Sequence, residues 1–215
     1  MAILVSEKDG GIAHEPIPAG NYMARCYQVI HLGNIKTVYE GQEKDQDQLM
    51  IGWELPTEQR VFKEENGSQP LVVSRIYTRS LGDRATLRAM LESWRGKAFT
   101  SDELKGFDIS KLIGAPCLIN IKNVAGEGKH KGKTFSQIAS VSPLMKGMTC
   151  PPAINPTVEF SVLSFDDKVF STLPQWLSDK IKTSKEYRDM VHGGETEKET
   201  THEVMNQDDL DGLPF

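Results

Sequence analysis

The apolar positions keep different periods in different stretches of the chain, and the changes of period mark out the elements. After an irregular lead-in over residues 1–19, with Gly10-Gly11, Pro16 and Pro18, a run rich in Tyr, Val and Ile from Asn21 to Leu32 predicts a first strand. Residues 33–47 are polar with few apolar anchors and read as a long loop. Gln48–Leu55 alternates, with Leu49, Ile51, Trp53 and Leu55 on one face, and predicts a second strand. A polar connection, Pro56–Pro70, carries the turn dipeptide Asn66-Gly67. In the third strand, Leu71–Thr78, Val72, Ser74, Ile76 and Thr78 share one face, and Val73, Arg75, Tyr77 and Arg79 share the other.

The period then lengthens. Leu87, Met90, Leu91 and Trp94 predict a helix over Asp83–Trp94, with Asp83 as N-cap and Gly96 as stop. A turn of helix around Ile109–Ile113 precedes renewed alternation. Pro116–Val124 is a fourth strand with Cys117, Ile119 and Ile121 inward and Asn120 and Lys122 outward. A Gly- and Lys-rich hairpin, Gly126–Gly132, joins it to a fifth strand, Lys133–Val141. Pro143, Pro151, Pro152 and Pro156 mark a linker. Val158–Phe165 reads as an extra strand or an extended docking segment. Pro174–Met190 reads as helical on the stripe Leu173, Trp176, Leu177 and Ile181, with a restart at the capping-box spacing Thr183–Glu186. From Gly193 the periodicity stops, and too little apolar surface remains to offset chain entropy, which predicts disorder.

Three strands, one helix and two strands is the order of the OB-fold, a mainly β, five-stranded Greek-key barrel. The expected organisation is an OB-fold single-stranded DNA-binding domain at 1–142, a linker, extra strand and helical extension at 143–192, and a disordered acidic tail at 193–215. The fold binds oligonucleotides across its second and third strands and the loops joining strands 1–2 and 4–5, here residues 33–47 and 125–132.

Composition narrows the compartment. In 215 residues no stretch approaches the ~18 apolar residues of a membrane span. The first residues lack the basic region and apolar run of a signal peptide, so Asn66-Gly67-Ser68 reads as a turn rather than a glycosylation site. Three scattered cysteines, Cys26, Cys117 and Cys150, argue for a reducing, cytoplasmic setting. The net charge of −5 is unevenly placed. Residues 193–215 hold seven acids against one base, a net of −6, while the remaining 192 residues hold 24 bases against 23 acids, a net of +1. A near-neutral body with an acidic tail suggests a nucleic-acid or partner interaction.

Candidate chemistry follows from position. Lys129, Lys131 and Lys133 on a Gly-rich finger, with Lys122 on the strand before it, can follow a phosphate backbone without reading sequence. Gly132-Lys133-Thr134 ends like a phosphate-binding loop, but Glu127 stands where that motif needs glycine and a strand follows, so nucleotide hydrolysis is excluded. Tyr77 between Arg75 and Arg79 is the favoured base-stacking ring, because burying that face would bury two charges. Tyr39 is a further candidate, Trp53 reads as either core or platform, and Phe135 reads as core. Asp166-Asp167 and the five histidines show no metal-ligand spacing, so no metal, cofactor or catalytic residue is assigned and an enzyme is not expected. The C-terminus, Asp208-Asp209-Leu210-Asp211-Gly212-Leu213-Pro214-Phe215, offers an extended acidic peptide ending in a ring and a free carboxylate, a form that partner pockets read.

That tail resembles the acidic tip of bacterial single-stranded DNA-binding proteins on Asp208, Asp209, Asp211, Leu213, Pro214 and Phe215, with Gly212 departing from the usual acid. The body resembles a tailed-phage group of single-stranded DNA-binding proteins with an OB core. The residues behind this are Pro18-Ala19-Gly20-Asn21-Tyr22, Ile51-Gly52-Trp53-Glu54-Leu55, and Leu173-Pro174-Gln175-Trp176-Leu177 ahead of Glu186-Tyr187. The resemblance implies sequence-independent binding of single strands in phage replication or recombination, in the host cytoplasm, and a tip that recruits replication and recombination proteins. The alternative is a replisome adaptor whose OB-like body binds no DNA. A homodimer would raise avidity.

Overall fold

The computed structural model describes residues 15–39, 41–62, 64–126 and 131–192. Its first two strands, β1 (Gly20–Tyr39) and β2 (Gln42–Val61), are 20 residues each and antiparallel, much longer than the sequence pattern predicts. Residues 33–47 are therefore a β-ribbon rather than a loop. The polar run concealed it because both faces of its outer part are largely solvated: Lys36 stands opposite Asp45, Val38 opposite Glu43, and Gly41 turns the chain at φ 75°. The connection 56–70 is the same device. β2 runs on to Val61, β3 (Ser68–Thr78) starts early, and a bulge between Leu55 and Gln59 hides the alternation.

The helix expected at Asp83–Trp94 is α1 (Thr86–Arg95), closed by Gly96 at φ 68° as its pattern predicts. It starts later because Asp83 does not cap it; that carboxylate pairs with Arg88 at 2.6 Å instead. A short α2 (Ser101–Lys105) follows, built on a reciprocal capping box between Thr100 and Glu103. After a 3-10 turn at Ile109–Leu112 come β4 (Pro116–Ala125) and β5 (Thr134–Ser142), close to their expected bounds.

The strands lie in the order β3-β2-β1-β4-β5, antiparallel throughout, and the protein is mainly β. β1 serves two partners on opposite edges: Gly20–Arg25 pairs with β4, and Arg25–Tyr39 pairs with β2. A register shift between Cys26 and Gln28 bends it at the changeover. The sheet is not closed. Between its outer strands Arg75 donates from its guanidinium to the Ile138 carbonyl at 3.2 Å, and α1 packs on both β3 and β5. Inside the curve lies the main core, in which Cys26, Leu49, Ile51, Trp53, Tyr77, Leu91, Cys117 and Ile119 are all buried.

The C-terminal part makes a second core on the outside of the sheet. β6 (Val158–Ser161) adds to β1 in parallel at Gln28–His31, the edge that β4 leaves free. Then come α3 (Asp167–Thr172), α4 (Gln175–Lys182) and α5 (Lys185–His192). Phe160, Val162, Leu173, Leu177 and Ile181 cover the register row Ile30, Met50 and Ile76. Phe160, Phe165, Phe170 and Tyr187 stack beside them with ring centroids 4.8–5.8 Å apart. The helix restart is capped by Ser184, which accepts from the Tyr187 amide at 3.2 Å, one residue after the expected Thr183. Glu186 reaches away from its own helix and accepts from the Asn34 amide at 2.7 Å and from Asn34 Nδ2 at 2.6 Å.

The proline-rich segment before β6 is held by an opposed pair of strand neighbours. Arg25 donates to the carbonyls of Cys150 and Pro151, while the buried Glu54 carboxylate accepts from the amides of Ile154 (2.9 Å) and Asn155 (2.8 Å). Residues 150–155 are thus fastened to β1 and β2 by charge-assisted hydrogen bonds.

Candidate nucleic-acid interface

Alternation in β4 and β5 decides which side chains the ribbon offers to solvent. Cys117, Ile119 and Ile121 are buried, so Asn120, Lys122 and Val124 point outward. Lys122 stands opposite Gln137, and Val124 opposite Phe135. Phe135 is half-buried and lies outside the main core's packing set, on the same face as Lys122. The ribbon closes with the Gly126 amide donating to the Lys133 carbonyl at 2.8 Å, and Gly132 turns at φ 89°. Lys131 and Lys133 are exposed at its end. Lys129 lies outside the described residues. Among the described residues of 116–142, Lys122, Lys131 and Lys133 carry all the charge.

β3 presents a different picture. Tyr77 is 2% exposed and Trp53 0% exposed, and both belong to the main core. Trp53 packs on Trp94 with ring centroids 5.7 Å apart. The expectation of an exposed Tyr77 is corrected for a physical reason. Arg75 escapes burial by reaching the open seam, where it bonds Ile138 and lies 5.3 Å from the Tyr77 ring centroid. Arg79 falls just past the strand end, exposed, and donates to Asp47 at 2.7 Å. The face buries its ring without burying two charges. Tyr39 ends β1, and its side chain lies outside the described residues, as do the tail residues Asp208, Asp209, Asp211, Leu213, Pro214 and Phe215.

Asp47 also accepts from or bonds to His31 Nε2 at 2.7 Å, and His31 Nδ1 lies 3.0 Å from Ser161 Oγ. Burial works to raise the Asp47 carboxyl, but the hydrogen bonds from Arg79 and His31 outweigh it and hold the carboxyl below its usual range. Ser161 Oγ is engaged in accepting from the Leu163 amide. This row of contacts joins β3, β2, β1 and β6, a tie between the sheet and its C-terminal cover. The three thiols are buried, and burial pushes Cys26 up to about 12, which suppresses thiolate chemistry. Among the described residues no group of three or more His, Cys, Asp or Glu could hold a metal ion, and no helix is long and apolar enough to cross a membrane.

The predicted residues therefore divide. The structure brings Lys122, Lys131 and Lys133 to one exposed ribbon, leaves Arg75 and Arg79 engaged at the β3 edge, and places Trp53 and Tyr77 inside. Phe135, a stacking candidate that its pattern favoured as core, is half-buried on the outward face of β5. No family model, no characterised protein and no solved structure matches the chain.

Proposed function

We propose that the chain is a non-enzymatic, sequence-independent single-stranded DNA-binding protein with an OB-type core, acting in DNA replication or recombination. The observation that carries the reading is the exposure of Lys122, Lys131 and Lys133 on the glycine-turned β4–β5 ribbon. Such cations follow a phosphate backbone by releasing its counterions and need no base contacts. The strand order β3-β2-β1-β4-β5, the bent β1, the helix between β3 and β4, and the Arg75 link across the seam support the OB-type core, which is a partly open Greek-key barrel. The acidic C-terminus, ending Leu213-Pro214-Phe215, is the element we assign to recruiting partner proteins.

One observation favours the second reading, a replisome adaptor without DNA affinity: the outer face of β2 and β3, where OB-folds hold oligonucleotides, is covered by the chain's own C-terminal part. Titration of labelled oligo-dT at two salt concentrations separates the two. A DNA-binding protein gives an affinity that falls with salt, with a slope of about −0.7 per neutralised phosphate. It loses part of that slope in K131E/K133E. An adaptor gives no salt-sensitive binding in either form.

A further inference from the structure

α4 carries a lysine where its pattern calls for an apolar side chain. Leu173, Trp176, Leu177 and Ile181 set the inward stripe, and Lys180 lies three residues after Leu177 and four after Trp176, on the same side of the helix. It is 9% exposed. A lysine so placed ordinarily pairs with a carboxylate, and among the described residues none pairs with this one. On its own helix Asp179 is held by Gln175 and Lys182. On α5, which packs against α4, Glu186 is held by Asn34, and on β1 His31 is held by Asp47. Lys180 Nζ nevertheless keeps an opening to solvent, since it is not one of the fully enclosed polar atoms that lack a partner. The other lysine of α4, Lys182, is exposed and lies 3.3 Å from Asp179.

We propose that Lys180 is a modification site: its amine accepts small acyl groups from activated carboxylic acids of the acyl phosphate class. The site is independent of the DNA-binding reading. An unpaired amine set in an apolar stripe is the arrangement that makes a lysine nucleophilic, because the neutral form carries the attacking lone pair and burial favours that form. Burial is what shifts this group, from 10.5 down to about 8. The nitrogen lone pair attacks the carbonyl carbon of the acyl phosphate, and a C–N bond forms. The C–O bond to phosphate breaks, inorganic phosphate leaves with the electron pair, and the nitrogen gives its proton to water. The product is a neutral amide, so the reaction removes a charge that the stripe is ill suited to hold. The small exposure of the residue selects a small donor, which an acetyl group satisfies and a long acyl chain does not.

The test uses the full chain and acetyl phosphate at about pH 7.5, with acetylation at each lysine followed by peptide mass spectrometry, in buffer and in guanidinium chloride. At that pH an amine at about 8 is neutral roughly a quarter of the time, and one at 10.5 roughly a thousandth. Lower basicity and restricted access offset part of that gain. In the folded chain Lys180 should acetylate about tenfold or more faster than the exposed Lys185. In denaturant, where both amines are solvated alike, the lead should vanish. K180R keeps the charge and should abolish the fast site, with the unfolding midpoint checked in parallel; should that variant not fold, the comparison of buffer with denaturant on the wild type decides alone. Equal rates at Lys180 and Lys185 in the folded chain would overturn the proposal. So would a Lys180 that reacts faster in denaturant than in buffer, which would mean that only unfolding exposes it.

Discussion

The sheet has two outer faces, and the chain treats them oppositely. On β1–β2–β3 the outward row Ile30, Met50 and Ile76 is apolar and lies under β6 and α4. On β1–β4–β5 the outward row is Asn120, Lys122, Val124, Phe135 and Gln137, mostly polar and outside both hydrophobic cores. Each face follows from the same alternation; what differs is the side chains placed at the outward phase. A row of large aliphatics gains about 1.5–3 kcal/mol per side chain from burial and so calls for a cover. A row made mostly of amides and one lysine gains little from burial and calls for no such cover. On the proposed reading, the β2–β3 face that an OB-type core would offer to an oligonucleotide is interior here, which leaves the β4–β5 ribbon to serve.

The strongest way to break this comparison is to damage the cover. Leu177 is fully buried on α4, and L177A should cost about 2–5 kcal/mol of stability by chemical denaturation, while oligo-dT affinity under native conditions stays within twofold. A loss under 1 kcal/mol would mean the cover is only loosely seated.

A second prediction sharpens how the cover is held. Gly33 sits at φ +91°, and a Cβ there would lie 2.5 Å from Glu186 Oε2 and 2.9 Å from Val162 Cγ1. G33A should therefore cost about 1–3 kcal/mol. E186A, which orphans the Asn34 amide, should cost about 1–3 kcal/mol as well. The double variant should lose less than the sum, because both act on the same α5–β1 contact. Full additivity in denaturant melts would contradict that.

On the open face the effect moves from stability to binding. K131E/K133E should leave stability within about 0.5 kcal/mol of wild type and lower the salt slope by about 0.7 for each lysine that meets a phosphate. A change in melting temperature without a change in slope would place these lysines in the fold rather than the interface.

The smallest effect is a pH dependence under the cover. Lys180 is buried on α4, and desolvation lowers its ammonium from 10.5 to about 8. Below about pH 8 both folded and unfolded chains hold that proton, and the full cost of a buried charge is present. Above it the folded state releases the proton while the unfolded chain keeps it up to about 10.5, so this contribution to stability improves with pH. Buried Cys26 acts in the opposite sense: its thiol ordinarily titrates near 9 and is raised to about 12, so its contribution falls as pH climbs through that interval. K180M isolates the lysine. It should be more stable than wild type at neutral pH, with an advantage that shrinks from about pH 8 upward, measured as paired unfolding midpoints.

Much of the fold was legible because strand and helix periods are local. Cys117, Ile119 and Ile121 announced β4, and Leu87, Leu91 and Trp94 announced α1. The long ribbons were not, because residues 33–47 are mostly polar, with Ile35 and Val38 standing opposite Gln46 and Glu43, and carry no sustained alternation of hydrophobicity to read. The candidate site was legible in its charges but not in its rings. Lys122 could be placed by its neighbours alone. Tyr77 could not, since its burial depends on Arg75 finding the Ile138 carbonyl across a seam 63 residues away. The facing of Phe135 was not legible, because a register break between Asn120 and Ile121 changes the phase at which β5 meets β4. The fate of the β1–β2–β3 face rested on where residues 158–192 dock, which no local pattern encodes.

Hydrogen–deuterium exchange of the full chain with and without saturating oligo-dT tests the contrast between the faces most directly. The account predicts new protection in residues 116–142 and in the first half of β1, with β2, β3 and the helices at 167–192 unchanged. Protection confined to 42–78, or exposure of 158–192 as that face opens to receive the strand, would contradict it.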